Sequence, residues 1–243
     1  MTCRISSQVS SPLRRDWARR PQRHDLVWLA PALPTAELRI VDSAREFVHQ
    51  WRQRDLPFVF ARQPGNAEYA RLGVTRPGLG PRQRIELHVP WHAIIRSAPP
   101  PPLMEMVAHA PLDWQQDLLW LARTLHQVGL DTRAYGSLVI QAFSGEACLR
   151  QESDVDLLVE CRSRAEALTA LSLLSDASGR PHVRLDGELR LYDGWAAAWR
   201  ELAAALAAGG GEVMAKCDDE IRLVDIDALL DGSLALPERG AAC

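Results

Sequence analysis

The stretch AYGSLVIQAFSGEACLRQESDVDLLVE, residues 134–160, places a Gly-Ser turn ahead of two aspartates that alternate with apolar residues. Successive side chains of a β-strand point to opposite faces, so Asp154 and Asp156 share one face and the apolar residues take the other. Two carboxylates roughly 6.6 Å apart along one strand face are spaced to contact a pair of divalent cations. The pattern predicts a carboxylate-rich metal site of the kind that suits Mg²⁺ or Mn²⁺.

The Gly-Ser half of this stretch predicts a phosphate site. Ala134 and Tyr135 have the pattern of a strand end, Gly136 permits a tight turn, and Ser137 opens a short helix. Backbone N–H groups at such a helix start attract phosphate. An Asp-x-Asp pair alone is most often a solvated strand edge, but the preceding strand, turn and helix favour a nucleotidyl-transfer site.

The spacing of these elements is similar to that found in a known family. YGSL at residues 135–138, followed by SDVDLL at residues 153–158, resembles the nucleotidyltransferase signature, and QAFSG at residues 141–145 narrows the match. Together they resemble the malonate decarboxylase holo-acyl-carrier-protein synthase family, also called phosphoribosyl-dephospho-coenzyme A transferases. That family carries a Gln-Ala-Leu-Thr-Gly-like segment between the two motifs. Phe143 and Ser144 stand where the family commonly has Leu and Thr.

The resemblance implies a reaction and a set of site residues. A 2′-(5″-phosphoribosyl)-3′-dephospho-CoA unit would pass from its triphosphate precursor, triphosphoribosyl-dephospho-CoA, to a serine on the acyl-carrier-protein subunit of malonate decarboxylase, releasing diphosphate. Asp154 and Asp156 would hold the metal ions, with Asp186 as third ligand and candidate base. Gly136 and Ser137 would seat the triphosphate.

The candidate third carboxylate lies within residues 182–191, where polar and apolar residues alternate. This alternation predicts a half-buried strand or a hairpin around Asp186-Gly187. Asp186 and Glu188 fall on one face of such a strand, and only the family pattern favours Asp186. Glu188 is the reserve. Alternatively, Asp186 and Gly187 form only a turn.

Lys216 is the single lysine of the chain and ends a predicted strand over residues 212–216. A compact ammonium there suits contact with the donor's phosphates, and the family has a lysine near this point. A solvated strand end is the alternative.

The chain divides at the four prolines of residues 99–102. Residues 1–97 are expected to form a small α+β domain with a mobile basic arm over residues 1–22, and residues 98–103 a proline-rich linker. In the first part, Ser43 with Glu46 predicts a capped helix, and strands at residues 57–61 and 84–89 are joined through glycine- and proline-rich turns that include Gly73. Residues 104–243 are expected to form a nucleotidyltransferase-like domain, a mixed sheet with flanking helices, which makes the fold class α+β.

Composition excludes several classes of protein. The 243 residues are 47% hydrophobic, which is enough for a packed core, and the net charge of −3 argues against nucleic acid as a partner. The 5 cysteines lack the spacing of a zinc site or a disulfide scaffold, as expected for reduced thiols in the cytoplasm. No run of about 18 apolar residues indicates a membrane span, and no apolar segment follows the N-terminal arginines, so we expect an unprocessed chain.

Two other functions fit the same motifs. An ATP-dependent nucleotidyltransferase acting on a small molecule or protein shares the Gly-Ser and Asp-x-Asp elements. The choice of donor separates it from a phosphoribosyl-dephospho-CoA transferase. A catalytically inactive module that binds a nucleotide or a partner is the other, and it would be marked by loss of the third carboxylate. Asp186 argues against it.

Overall fold

The computed structural model describes residues 19–63, 67–78, 80–81, 83–180 and 182–234. Over these residues, eleven β-strands and seven α-helices build two sheets, so the chain is α+β as predicted. Most of the predicted mobile arm, residues 1–18, lies outside the described residues.

The N-terminal part is a five-stranded antiparallel sheet with one helix. Its strand order is β4-β3-β2-β1-β5. Its elements are β1 (Leu26–Leu29), α1 (Arg45–Gln53), β2 (Phe58–Phe60), β3 (Tyr69–Thr75), β4 (Arg84–Pro90) and β5 (Ile94–Ala98).

The C-terminal part is a six-stranded mixed sheet flanked by helices. Its elements are α2 (Leu103–Met106), α3 (Leu112–Gln127), β6 (Asp131–Tyr135), α4 (Ser137–Ser144), β7 (Asp154–Cys161), α5 (Arg164–Ser178), β8 (Arg184–Leu191), β9 (Ala196–Ala198), α6 (Trp199–Ala207), β10 (Glu212–Lys216), β11 (Ile221–Asp225) and α7 (Ile226–Leu230). The strand order is β11-β10-β9-β8-β7-β6, and β7 with β8 is the parallel pair. Helix α5 makes the crossover that a parallel pair requires.

The alternation of apolar residues along β1 joins the two parts. Leu26 and Trp28 pack into the core under the six-stranded sheet, whereas Val27 and Leu29 pack into the core of the N-terminal sheet. Since all four side chains are buried, β1 contributes to both cores. The proline segment also contacts β6, because Ala134 N–H donates to Pro101 O at 2.9 Å.

Of two helix starts predicted from local signals, one is confirmed and the other was wrong. Helix α4 begins at Ser137, after Gly136, as predicted. The Ser43–Glu46 capping box was wrong: a 3₁₀ turn over Asp42–Ala44 comes first, and α1 begins at Arg45 without a side-chain cap. The Glu46 carboxylate instead accepts a hydrogen bond from Gln50, one helical turn later.

One strand differs from the sequence expectation, and another decides between two alternatives that the sequence left open. The predicted turn at Gly73 was wrong, since Gly73 lies inside β3, where it pairs with Val59 and Glu86. Asp186-Gly187 does not form a hairpin, since β8 runs unbroken through both residues. Gly187 takes φ 128°, and a Cβ there would meet Leu157 O at 1.9 Å, so glycine serves close strand packing. Among the described residues, no helix is long and apolar enough to cross a bilayer.

Candidate active site

Asp156 and Gly136 are packed directly against each other at the end of β6. Tyr135 pairs with Asp156 across the β6–β7 ladder, and Gly136 follows with φ 69° and ψ −143°. A Cβ built on Gly136 would lie 2.0 Å from Asp156 Oδ2 and 2.9 Å from its Cγ. The turn therefore needs glycine both for its backbone angles and for the space that the carboxylate fills. This contact places a carboxylate beside the first turn of α4.

The parallel register of β7 and β8 brings the predicted carboxylates to one face. Asp156 pairs with Asp186, and Asp154 pairs with Arg184. Paired residues of neighbouring strands project to the same side, and the strands lie about 4.8 Å apart. Asp156 is half-buried, and the Asp186 side chain is exposed at the rim. Asp154, Asp156 and Asp186 thus share one open region of the sheet.

Asp154 is turned toward an arginine in this arrangement. Its Oδ1 atom lies 2.9 Å from Arg184 Nε, with the two side chains 38% and 66% exposed. Among the described residues, no three His, Cys, Asp or Glu side chains are arranged to hold a metal ion together. The oxygen donors suit Mg²⁺ or Mn²⁺ in type, and Asp154 would have to leave Arg184 to hold such an ion.

Helix α4 presents its N-terminus at the same place. The first N–H groups of a helix have no partner inside it, and the helix dipole adds partial positive charge there. Ile140 N–H donates to Gly136 O at 3.1 Å, which closes the first turn directly on the glycine. Ser137 is buried as the first helical residue. Gly136 and Ser137 therefore stand where a phosphate would meet backbone donors.

Glu188 is separated from this carboxylate cluster by its surroundings. It is buried, and its carboxylate contacts Arg23 at 2.6 Å, His24 at 3.2 Å and Lys216 at 3.4 Å. Burial by itself would raise the pKa of Glu188, but hydrogen bonds from His24 and Arg23 outweigh it and hold the pKa well below its ordinary value. The structure therefore gives Glu188 the contacts of an internal counter-ion.

His24 links this ion network to the Gly136 turn. Its ring stacks on Tyr135 with centroids 4.1 Å apart, and its backbone takes φ 77°. Burial lowers the pKa of His24, so the imidazole is neutral near pH 7. Burial, followed by the charges of Glu188 and Asp156, raises the pKa of the Tyr135 phenol, which stays protonated. The N-terminal part thus supplies a ring to the wall of the site.

Sequence reasoning missed three residues here. No sequence pattern gave Arg23, His24 or Arg184 a role in the site. His24 is 164 residues from the glutamate that it contacts, so no local pattern relates them. The alternation that singled out Asp186 also places Arg184 on its face, which is the one signal that could have found it. Lys216 ends β10, as predicted. Its ammonium also contacts Glu188.

The fold and the site define a mixed α+β protein with acidic residues grouped beside a helix N-terminus, an arrangement suited to phosphate chemistry. Comparison with protein families matches residues 22–100 to the phosphoribosyl-dephospho-CoA transferase MdcG N-terminal domain, and residues 102–227 to the C-terminal domain of the same family. This chain belongs to the phosphoribosyl-dephospho-CoA transferase family, and it is a transferase.

Curated relatives agree over most of the chain. A phosphoribosyl-dephospho-CoA transferase of Xanthomonas campestris pv. campestris is 35% identical over 222 residues, 90% of this chain and 99% of the relative. Another, from Bradyrhizobium diazoefficiens, is 31% identical over 218 residues, 88% of this chain and 95% of the relative. A third, from Pseudomonas aeruginosa, is 28% identical over 214 residues, 86% and 97% of the two chains. No solved structure matches the chain significantly.

Proposed function

We propose that this chain transfers 2′-(5″-phosphoribosyl)-3′-dephospho-CoA from its 5″-triphosphate precursor to a serine of the malonate decarboxylase acyl-carrier protein. Family membership supports the donor. The observation that carries the chemistry is the grouping of Asp156, Asp186 and the Gly136 turn, set by the β6–β7–β8 register. The C-terminal part is nucleotidyltransferase-like in this proposal, because strand, Gly-Ser turn, helix and acidic strand follow one another as in that superfamily.

The reaction is a substitution at phosphorus. The carrier's serine oxygen attacks the α-phosphorus of the donor, a new P–O bond forms, and the bond to diphosphate breaks. The serine proton has to leave, and Asp186, exposed at the rim of the site, is the candidate acceptor. No covalent enzyme intermediate is needed.

Different residues of the chain would bind the metal ions and the triphosphate. Asp154, Asp156 and Asp186 would hold Mg²⁺ or Mn²⁺, which when bound neutralises charge on the transferring phosphoryl group and makes the serine oxygen more nucleophilic. Gly136 and Ser137 would seat the triphosphate on the N-terminus of α4. Lys216 would meet the phosphates from the β10 side.

The exposed end of the sheet face gives a protein-borne serine access to this region. Arg184 and Asp186 are exposed at one end of the face. Met214 and Leu223, paired across β10 and β11, are 45% and 60% exposed at its other side. Between them Arg23 and His24 cover the face over Glu188, so the carrier would approach at the exposed Asp186 end. The free thiols of Cys148, Cys161 and Cys217 fit a cytoplasmic location for this reaction.

Mass spectrometry of the acceptor tests the proposal. The protein is incubated with triphosphoribosyl-dephospho-CoA, Mg²⁺ and the carrier subunit, and the intact carrier is weighed. We expect the carrier to gain one phosphoribosyl-dephospho-CoA unit on its serine, and no gain when the serine is replaced by alanine or Mg²⁺ is chelated. Transfer of an adenylyl group from ATP instead would establish the ATP-dependent alternative, and no transfer from either donor would overturn the proposal.

A further inference from the structure

The buried carboxylate of Glu188 is shared between two basic side chains from different parts of the fold. Arg23 Nη2 lies 2.6 Å from Oε2, and Lys216 Nζ lies 3.4 Å from Oε1. The exposed side-chain fractions are 12% for Arg23 and 31% for Lys216. One negative charge therefore faces two positive ones, and the lysine is the more loosely held partner.

Arg23 is fixed at several points that do not involve Glu188. Its N–H donates to Asp218 Oδ1 at 2.9 Å, and its carbonyl accepts from Arg190 Nη1 at 3.5 Å. Arg190 is itself paired with Glu160, and the pair anchors this part of the sheet face. The backbone on both sides of the Arg23 side chain is thus tied to the C-terminal part. The guanidinium has little freedom to leave Glu188.

His24 supports the orientation of the Arg23 guanidinium. Arg23 Nη1 and His24 Nε2 are 2.8 Å apart, and the same Nε2 lies 3.2 Å from Glu188 Oε2. One ring nitrogen cannot accept from arginine and donate to the carboxylate at once. In either tautomer Arg23 Nη2 keeps its 2.6 Å contact with Glu188 Oε2, so arginine is the firm counter-ion of Glu188.

We propose that Arg23 is a positioning residue for Lys216: by neutralising Glu188 permanently, it frees the lysine ammonium for the donor's phosphates. A buried carboxylate without a counter-ion is costly, so it would hold any cation within reach. With Arg23 in place, moving Lys216 to a phosphate gives up only a long contact. Without Arg23, Lys216 becomes the remaining charged partner of Glu188. The inference rests on the proposed function through the role of Lys216.

Removing the arginine charge tests this exchange. In Arg23→Gln we expect the KM for triphosphoribosyl-dephospho-CoA to rise about tenfold, the equivalent of about 1.4 kcal/mol, and kcat to fall by a larger factor, because Glu188 retains Lys216. In the double variant Arg23→Gln with Glu188→Gln, no carboxylate competes for the lysine, and the KM should return to within about threefold of wild type. Arg23→Lys, which keeps a cation, should recover most of the affinity.

A second arginine in the same segment provides the matched control. Arg19 pairs with the buried carboxylate of Asp25 at 2.6 Å, as Arg23 does with Glu188, but it does not touch the Glu188 network. Arg19→Gln should lower stability without a change in donor KM. A purely structural role of Arg23 would make the two variants behave alike. Urea unfolding and isothermal titration with inorganic triphosphate, run beside the kinetics, separate stability from binding.

The possible results distinguish failure of the inference from failure of the proposed function. An Arg23→Gln variant with unchanged KM and kcat, or a double variant that fails to recover, overturns the inference while leaving the proposed function intact. If Lys216→Ala itself leaves donor binding and turnover unchanged, the proposed role of the lysine fails first. Should Arg23→Gln not fold, Glu188→Gln decides alone: a KM within about threefold of wild type supports the inference, and an increase of about tenfold overturns it.

Discussion

Asp156 Oδ2 lies 2.0 Å from the point at which a side chain on Gly136 would begin. The carboxylate therefore fills the space that glycine leaves open. Turn and carboxylate are packed together, so a side chain added at Gly136 would displace Asp156. This relationship makes the Gly136 turn a sensitive point of the site.

Gly136→Ala should abolish transfer and cost about 1–3 kcal/mol of stability, because its φ of 69° with ψ −143° is strained for alanine and the methyl group collides with Asp156. Gly145→Ala is the matched control, since Gly145 follows the same helix with φ 72° and nothing within 4 Å of its Cβ position. It should lose stability but keep turnover. Carrier mass and urea unfolding measure the two effects, and an active Gly136→Ala enzyme would refute the assignment.

Asp154→Ala and Asp156→Ala should each abolish transfer with the fold preserved, because each removes a carboxylate expected to hold the metal ions. Stability should change little for Asp154, whose contact with the exposed Arg184 is worth about 0–1 kcal/mol. Asp131→Ala, which removes another ion-paired aspartate of the same sheet, is the control and should remain active. Near wild-type turnover of either site variant with Mg²⁺ present would exclude the metal role.

Asp186→Asn should lose Mg²⁺-dependent activity, whereas Glu188→Gln should retain it. The reason is position: Asp186 pairs with Asp156 and is exposed, while Glu188 is buried against Arg23 and Lys216. Titration of Mg²⁺ in the transfer assay distinguishes loss of metal affinity from loss of fold. The reverse result, with Glu188→Gln inactive and Asp186→Asn active, would exchange the third ligand.

Lys216→Ala should lower kcat more than it raises KM, because a cation that meets developing charge acts most strongly in the transition state. Removal of one such contact typically costs about 10²–10³ in rate. Arg222→Gln serves as the control, since it removes a cation from the neighbouring strand that is paired with Glu220. A Lys216→Ala enzyme within about threefold of wild type would limit the lysine to its ion pair with Glu188.

The free energy of unfolding should fall as the pH falls below about 6.5, the ordinary histidine value. The pKa of His24 is lowered in the folded protein, so the unfolded chain takes up a proton that the native protein does not. The lowered pKa of Glu188 adds a second loss as the pH passes below the ordinary carboxyl range. Both groups bind more protons when unfolded, and both therefore favour the native state at higher pH.

The free energy of unfolding, measured with urea at a series of pH values between about 8 and 4, follows this dependence across both ordinary pKa values. His24→Asn should flatten the part near the histidine range, and asparagine tolerates the positive φ of this position better than most residues. An unchanged slope in the variant would contradict a native histidine that is held neutral by burial.

Much of the site follows from local sequence. Alternation places Asp154 and Asp156 on one face of β7, and a glycine before a serine starts α4, because both patterns depend on backbone geometry over a few residues. The same local logic failed at Ser43, where a 3₁₀ turn precedes the helix, and it left open whether Asp186-Gly187 is a turn or part of a strand.

The sequence by itself therefore determined the α+β class, the acidic strand and the Gly-Ser turn. Only the tertiary structure decided that Asp186 stands opposite Asp156, since a parallel register depends on a whole crossover through α5. It also decided that Arg23 and His24, far from Glu188 in the sequence, contact its carboxylate, with Arg23 as the counter-ion. Alternation specifies the face of a side chain, but its charged partners depend on which distant segments the folded sheet brings into contact.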